Sequence, residues 1–313
     1  MRTRLPGTDL DLFPLCLGGN VFGWSADEEA SYAVLDAYVA AGGNVIDTAD
    51  AYARWLGHGG GESETIIGRW MKARGNRDDL VIATKVGKNE GLDNLRPDTI
   101  RRACELSLQR LQTDRIDLYY AHQDHPDDDL AAALETFDGL VRGGKVRHLA
   151  ASNFTGARLV EALDLQAAHG WSPFAALQPE YNLVVRDEYE TEYAALCVER
   201  GVGTLPYFGL ARGFLTGKYR DGATVESVRA RAVSTYDDDR GRAALAALAT
   251  VADAHEVPMA AVALAWLLTR PAVVAPIASA RTPEQLADLL PMATIELTAG
   301  EVVLLDQAAA PTT

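Results

Sequence analysis

The chain has 313 residues, 48% of them apolar and 23% charged, which is typical of a globular protein that buries a large core. Its formal net charge of -15, from 44 acidic and 29 basic residues, argues against electrostatic binding to nucleic acid or to an anionic membrane surface. No apolar run reaches the ~20 residues of a membrane-spanning helix. The three cysteines form no CxxC pair and no secretory signal is evident, which predicts reduced core thiols in a cytoplasmic protein.

The first residues predict a small β-hairpin, because residues 3–5 and 11–13 flank a turn containing Pro6-Gly7. A first strand is expected at 15–17. The helix after it is expected to start with a capping box at 25–28 and to stop at Gly42-Gly43. Its apolar residues recur with the 3.6-residue period of a helix: Ala30, Val34, Leu35, Tyr38 and Val39.

The alternation of strand and helix continues along the chain. Further strands are predicted at 44–47, 80–85, 116–121, 146–151, 175–178, 202–206 and 272–277, and helices near 62–74, at 97–111 and around 127–142. Eight strands separated by helices predict a single (β/α)8 barrel, a TIM barrel, as one domain over residues 1–313. A doubly wound open sheet is the alternative, but it leaves too many strands in the second half.

Two segments exceed a minimal barrel. Residues 208–240 form a long polar insertion after the seventh strand, either a lid or cofactor clamp or a mobile surface loop. The stretch from Thr298 predicts one further helix that caps the barrel.

Polar side chains stand where the predicted strands end. Asp47, Lys85 and His122 close the second, third and fourth strands, and Ser152, Gln178 and Tyr207 follow later ones. Because the carboxyl ends of parallel barrel strands share one face, these side chains should converge on one site.

With Tyr52, five residues after Asp47, this set suits general acid catalysis. An ammonium at Lys85 lowers the pKa of a neighbouring phenol, Asp47 can hold the lysine in place, and His122 can orient a carbonyl oxygen. The alternative is a structural Asp47–Lys85 ion pair, with Tyr52 and His122 only lining a loop.

Other motifs fail. Residues 18–23 lack the GxGxxG spacing of a Rossmann domain, Gly213–Lys218 departs from a P-loop, and no Gly-x-Ser-x-Gly elbow is present. The His and Asp residues between 122 and 129 lack metal-ligand spacing, and the acidic run fits a helix N-terminus better. No metal site is therefore predicted.

Six stretches share order and strand-end placement with one known family. They are Asn44-Val-Ile-Asp-Thr-Ala-Asp-Ala-Tyr52, Ala83-Thr-Lys85, Ile116-Asp-Leu-Tyr-Tyr-Ala-His122, and residues 144–154, 177–182 and 210–218. Through them the chain resembles the aldo-keto reductases over nearly its whole length. The resemblance implies a barrel that binds NADP(H) without a Rossmann domain, with Tyr52 as general acid, Asp47 and Lys85 tuning it, and His122 orienting the carbonyl.

The resemblance also implies the cofactor contacts. Ser152, Asn153 and Gln178 match positions that hold the nicotinamide carboxamide, and Tyr207 matches the aromatic that stacks on the nicotinamide ring. The remaining implied contacts, most of them on loops around the pyrophosphate and the adenosine, are Gly19, Asp47, Phe208, Gly209, Leu210, Gly213, Lys218, Ala278, Ser279, Arg281 and Gln285. NADP is expected rather than NAD, because the planar guanidinium of Arg281 suits a 2′-phosphate.

Three positions depart from the family pattern. Ser279 stands where glycine is frequent, Leu289 where asparagine is frequent near the adenine, and Gln123 where tryptophan often follows the histidine. Gln123 predicts a more polar substrate pocket. Its other expected lining residues are Phe22, Trp24 and Trp55, with Gly19 beside them.

The favoured function is NADPH-dependent reduction of a small aldehyde or ketone to an alcohol. Two alternatives stay open: a sugar or polyol dehydrogenase working in the opposite direction, and a non-catalytic, cofactor-sensing subunit that regulates a partner protein. The substrate and the oligomeric state are not legible in the sequence.

Overall fold

The computed structural model describes residues 2–57, 59–218 and 233–310. Its N-terminal hairpin is the predicted one: Thr3–Arg4 (β1) pairs antiparallel with Asp11–Leu12 (β2). Of the predicted insertion at 208–240, residues 219–232 lie outside the described part of the chain.

Eight parallel strands form the central sheet, and each of the first six pairs with the next strand in the chain. They are β3 (Cys16–Gly18), β4 (Val45–Asp47), β5 (Val81–Val86), β6 (Ile116–Ala121), β7 (Val146–Ser152), β8 (Phe174–Gln178), β9 (Gly203–Thr204) and β10 (Ile277–Ala278). β10 pairs with β3. The sheet closes because Val274 N donates to Thr204 O at 2.9 Å and Ile277 N donates to Pro206 O at 2.8 Å. The (β/α)8 barrel is confirmed.

Helices surround the barrel, and most of them bury one apolar face against it. They are α1 (Glu28–Ala40), α2 (Glu62–Arg74), α3 (Pro97–Leu111), α4 (Leu130–Arg142), α5 (Gly156–His169), α6 (Ala194–Arg200), α7 (Asp239–His255), α8 (Met259–Leu268), α9 (Pro283–Ala287) and α10 (Ala299–Ala308). Helix α8 differs, since residues 260–267 are all buried and α7 packs over it. No single helix in the described ranges is long and apolar enough to span a membrane, and α7 and α8 meet that measure only as a pair bent by 98°.

The barrel interior has an apolar layer at its N-terminal end. Cys16, Val45 and Val81 belong to one buried cluster with Leu5 and Leu10 of the hairpin. The hairpin therefore closes this end of the barrel. All three cysteines are buried and free, as predicted.

Several predicted boundaries need correction. Helix α1 has no capping box at 25–28, because its cap is Asp27, which accepts a hydrogen bond from Ala30 N at 2.8 Å. The last strand is Ile277–Ala278 and not 272–277, since Ala272 has a left-handed φ of 62° that interrupts an extended chain. The C-terminal helix begins after Thr298, which forms a capping box with Glu301, and it packs against α7.

Candidate active site

The candidate side chains lie at the C-terminal end of the barrel strands, where they continue the alternation of inward and outward side chains along each strand. Asp47 lies two positions after interior Val45, Lys85 two after Ala83, and His122 two after Tyr120. The same spacing places Ser152 after Ala150, Gln178 after Ala176 and Tyr207 after Leu205. Because successive strand residues point to opposite faces, the polar residue continues the inward row as the strand ends. The structure thus brings these strand-end residues together.

Lys85 is the hub of the site. Its Nζ donates to Asp47 Oδ2 at 2.7 Å, to the Thr48 carbonyl oxygen at 2.8 Å and to Tyr52 Oη at 2.8 Å. Tyr52 Oη in turn donates to Asp47 Oδ2 at 3.0 Å. The Lys85 side chain is fully buried, so the ammonium, carboxylate and phenol form one enclosed triangle.

The acid–base properties of the triangle differ from the expectation in one respect. The Lys85 ammonium does not bring the pKa of Tyr52 below its usual value. Burial, followed by the charge of Asp47 and its hydrogen bond, raises the pKa of Tyr52 well above its usual value. Burial also lowers the pKa of Lys85, while Asp47 opposes that shift. Tyr52 is therefore a neutral phenol at neutral pH.

His122 faces Tyr52 across the cavity, with ring centroids 6.2 Å apart and an interplanar angle of 79°. Its Nδ1 is buried and has no hydrogen-bond partner among the described residues. Burial, then the positive charges of Lys85, Lys88 and Arg54, lowers the pKa of His122 well below its usual value. The imidazole is therefore neutral across the physiological range.

A chain of hydrogen bonds links the remaining strand ends to this triangle. Gln178 Nε2 donates to Asp47 Oδ1 at 2.9 Å, and Ser152 Oγ donates to the Gln178 carbonyl oxygen at 2.9 Å. Asn153, at a left-handed φ of 55°, donates to the His122 carbonyl oxygen at 2.8 Å and accepts from Tyr207 Oη at 3.1 Å. These contacts fix amide and hydroxyl groups at the end of the barrel.

A cavity of about 640 Å³ opens above these groups. One wall is the loop after β9, where Phe208, Ala211 and Arg212 have left-handed φ values of 54°, 46° and 58°. Non-glycine residues rarely adopt this conformation, and such strain is concentrated at functional sites. Other lining residues on this loop are Gly209, Leu210, Gly213, Thr216 and Lys218.

The opposite end of the same wall comes from the segment after β10, where Ala278, Ser279, Arg281, Gln285 and Leu289 line the cavity. Ser279 Oγ donates to Asn20 Oδ1 at 2.6 Å, which joins the loops after β10 and β3. A Cβ at Gly18 would lie 2.5 Å from Ser279 Oγ, so a larger residue there would have to displace this hydroxyl. Gln285 Oε1 accepts from Arg281 N at 3.0 Å and shapes the turn.

The expected substrate residues do not all reach the cavity. Trp55 lines it and meets Trp24 edge to face, with centroids 5.1 Å apart. Phe22 does not, because the 3-10 turn Gly19–Val21 directs its side chain into the core, where it is fully buried. Gln123 is exposed and lies outside the lining residues, and Gly19 is buried behind them.

Sequence reasoning missed several lining residues. Lys88, three positions after Lys85, follows the end of its strand, so the strand-end signal could have found it. Arg212, on the loop after β9, also lines the cavity. Asn20, Pro258 and Ala260 also line the cavity, and the last two, at the start of α8, carry no strand-end signal.

The acidic groups near His122 have other partners. Asp124 pairs with Arg158 at 3.1 Å, and Asp129 caps α4. His125 Nε2 lies 2.7 Å from the Gly87 carbonyl oxygen. Across the described ranges, no group of three or more His, Cys, Asp or Glu side chains is arranged to hold a metal ion.

Comparison with known proteins gives a consistent result. The sequence model of the Aldo/keto reductase family matches residues 14–310. Norsolorinic acid reductase B of Aspergillus parasiticus is 32% identical over 326 residues, covering 98% of this chain and 83% of its own. Protein tas of Escherichia coli is 34% identical over 312 residues, covering 90% of both chains. The uncharacterized oxidoreductase YrpG of Bacillus subtilis is 34% identical over 305 residues, covering 94% of this chain and 91% of its own.

Proposed function

Because the chain belongs to the Aldo/keto reductase family of oxidoreductases, we propose that it reduces an aldehyde or ketone to an alcohol with NADPH, and that Tyr52 donates the proton. The observation that carries this proposal is the triangle of Tyr52, Lys85 and Asp47 at the floor of the cavity. It supplies a proton donor and a buried positive charge at the same point.

The state of Tyr52 is compatible with a role as proton donor. A phenol with a raised pKa keeps its proton at neutral pH, which is the form a proton donor needs. As that proton leaves, negative charge develops on Oη, and the Lys85 ammonium 2.8 Å away stabilises it.

His122 is suited to hold the carbonyl oxygen. Its neutral ring has one N–H, and we assign that proton to Nε2 because the enclosed Nδ1 has no acceptor among the described residues. This N–H and the Tyr52 hydroxyl would then both donate hydrogen bonds to the carbonyl oxygen of the substrate. Two donors orient the carbonyl and stabilise the charge that develops on it.

The lining residues suit a nicotinamide dinucleotide. Gln178 and Asn153 offer amides, Tyr207 an aromatic face, and the loops after β9 and β10 offer the cations Arg212, Lys218 and Arg281. Arg212 Nε is buried with no partner in the described part of the chain, as expected of a group that a phosphate would satisfy. When bound, the dinucleotide would supply the hydride. Leu289, only 4% exposed, would offer the adenine an apolar contact in place of an amide.

The test is loss of NADPH absorbance with a panel of aromatic aldehydes, diketones and keto-sugars. Tyr52→Phe should lower kcat by about 10²- to 10⁴-fold while the Kd for NADPH, measured by fluorescence, changes little. Tyr32→Phe is the matched control, because this tyrosine lies on α1 and hydrogen-bonds Glu28.

Each result has a distinct meaning. Turnover that survives in Tyr52→Phe would contradict the role of Tyr52. Tight NADPH binding without turnover of any carbonyl would favour the cofactor-sensing alternative. Absence of both would remove the cofactor proposal itself.

A further inference from the structure

Two cations stand beside the catalytic end of the cavity. Lys88 lines the cavity on the loop after β5, and Arg54 lies on the loop after β4, in the 3-10 turn Arg54–Leu56. Arg54 Nη1 donates to the Lys88 carbonyl oxygen, so the two loops are joined. The turn is held by left-handed residues on both sides, Ala53 at φ 68° and Gly57 at φ 81°.

No carboxylate neutralises this pair among the described residues. Burial, then Lys85 and Arg54, lowers the pKa of Lys88, and no acidic group acts against that shift. The described cavity lining has two carboxylates, Asp47 and Asp288. Asp47 is committed to Lys85, Tyr52 and Gln178, and Asp288 follows α9 at the other end. In a chain of net charge -15, an uncompensated positive site points to an anionic ligand.

This positive site is separate from the groups suited to the dinucleotide. β4 and β5 are the second and third barrel strands, whereas Lys218 and Arg281 follow the seventh and eighth. In an eight-stranded barrel the third and seventh strands lie opposite each other. Tyr52 and His122 therefore lie on the side of Arg54 and Lys88, away from the loops that would hold phosphates.

We propose that the substrate carries an oxyanion, a carboxylate or a phosphate, which Arg54 and Lys88 bind while its carbonyl lies at Tyr52 and His122. The placement of the carbonyl at Tyr52 and His122 rests on the proposed carbonyl reduction. Trp55, beside Trp24, would pack against the body of the molecule. Arg54 offers the planar fork that matches an oxyanion, and Lys88 adds a point charge.

The test is a charge series on one molecular frame. The probes are 4-formylbenzoate, its neutral methyl ester, 4-formylphenyl phosphate and the cationic 4-formyl-N,N,N-trimethylanilinium. Both kcat/KM with NADPH and the Kd from calorimetry, with and without NADP⁺, are measured. We expect kcat/KM and affinity to be about 10- to 100-fold higher for the oxyanions than for the ester, because charge-assisted hydrogen bonds are strong. Both should be lowest for the cation.

The variants are Lys88→Met and Arg54→Gln, with Lys72→Met as the control. Lys72 is exposed on α2 outside the cavity lining, so its loss makes the same change in net charge elsewhere. The ratio of kcat/KM for the oxyanion to that for the ester should fall about tenfold in Lys88→Met and in Arg54→Gln and stay unchanged in Lys72→Met. Circular dichroism checks that each variant is folded.

The two proposals fail separately. Equal kcat/KM and Kd for oxyanion and ester would overturn the oxyanion site and leave carbonyl reduction standing. Charge-selective binding that disappears in Lys88→Met or Arg54→Gln, without turnover of any probe, would support the oxyanion site and contradict the placement of the probe's carbonyl at Tyr52 and His122. If both Lys88→Met and Arg54→Gln keep the preference for oxyanion over ester, the assignment of these two residues as the oxyanion site would also be wrong.

Discussion

Asp50 gives the sharpest test of the energetics of the catalytic loop. It lies between Asp47 and Tyr52, is fully buried, and neither carboxyl oxygen has a hydrogen-bond partner among the described residues. Burial, then the charge of Glu64, raises the pKa of Asp50 to about 8 from 3.8. The folded protein therefore holds this carboxyl protonated at neutral pH, whereas the unfolded chain ionises it.

The sign and size of the effect follow from proton linkage. A raised pKa in the folded state means that the stability contributed by Asp50 is fully present below pH ~4 and is lost as the pH rises towards ~8. Each pH unit in that window lowers the free energy of unfolding by about 1.4 kcal/mol, so the total loss at pH ~7 is about 4 kcal/mol. Asp50→Asn removes the titration and keeps the shape. We expect the free energy of unfolding of this variant, relative to that of the wild type, to increase by about 1.4 kcal/mol per pH unit between pH ~5 and ~8.

The assay is guanidinium unfolding of both proteins at several pH values across that window. The slope of the difference against pH isolates the titration, because any change in packing or hydrogen bonding adds a constant. Asp93→Asn, at an exposed loop position, controls for removing one acid. Parallel curves for the wild type and Asp50→Asn would refute the reasoning, since they would mean that Asp50 ionises in the folded state as it does in the unfolded chain.

Two further predictions concern charges in the site. Lys85→Met should cost about 3–5 kcal/mol of stability, because it leaves the buried Asp47 carboxylate unpaired, and Asp47→Asn/Lys85→Met should cost less. Urea unfolding of both single variants and the double variant measures the coupling, and additive losses would contradict a buried pair. Arg281→Ala should raise the Kd for NADPH by about 10- to 100-fold and change the Kd for NADH little. Equal losses in the two titrations would exclude a 2′-phosphate contact.

The fold was predictable because its signals are local and repeated. Interior and exterior positions alternate along each strand, and a polar residue continues the inward row at the strand end, as with Ala83 and Lys85. The helix periods and the Thr298 cap are equally local. The start of α1 was harder, because Ser25 and Asp27 are both good caps and only the observed hydrogen bond to Asp27 decides between them.

The site was less predictable wherever three-dimensional placement decides the outcome. Phe22 and Trp24 are near neighbours in sequence, yet Phe22 is in the core and Trp24 meets Trp55, and Gly23 between them has a left-handed φ of 74°. The pKa of Tyr52 needs the competing effects of burial, Asp47 and Lys85 together, and the sequence supplies only the identities of the groups. The strand-end signal points to Lys88, but only the structure shows that its loop faces the cavity.

The barrel separates the part that stabilises the fold from the part that destabilises it. Asp47, Asp50 and Lys85 are buried charges or unpaired acids at the C-terminal end, and each disfavours the folded state unless compensated. The N-terminal end holds a cluster of buried apolar side chains that includes Leu5 and Leu10 of the hairpin. Because the strands connect both ends rigidly, apolar burial at one end can hold the strained and charged groups of the other in place. Among these residues, replacing the unpaired acid Asp50 should therefore raise stability at neutral pH, whereas replacing Lys85 should lower it.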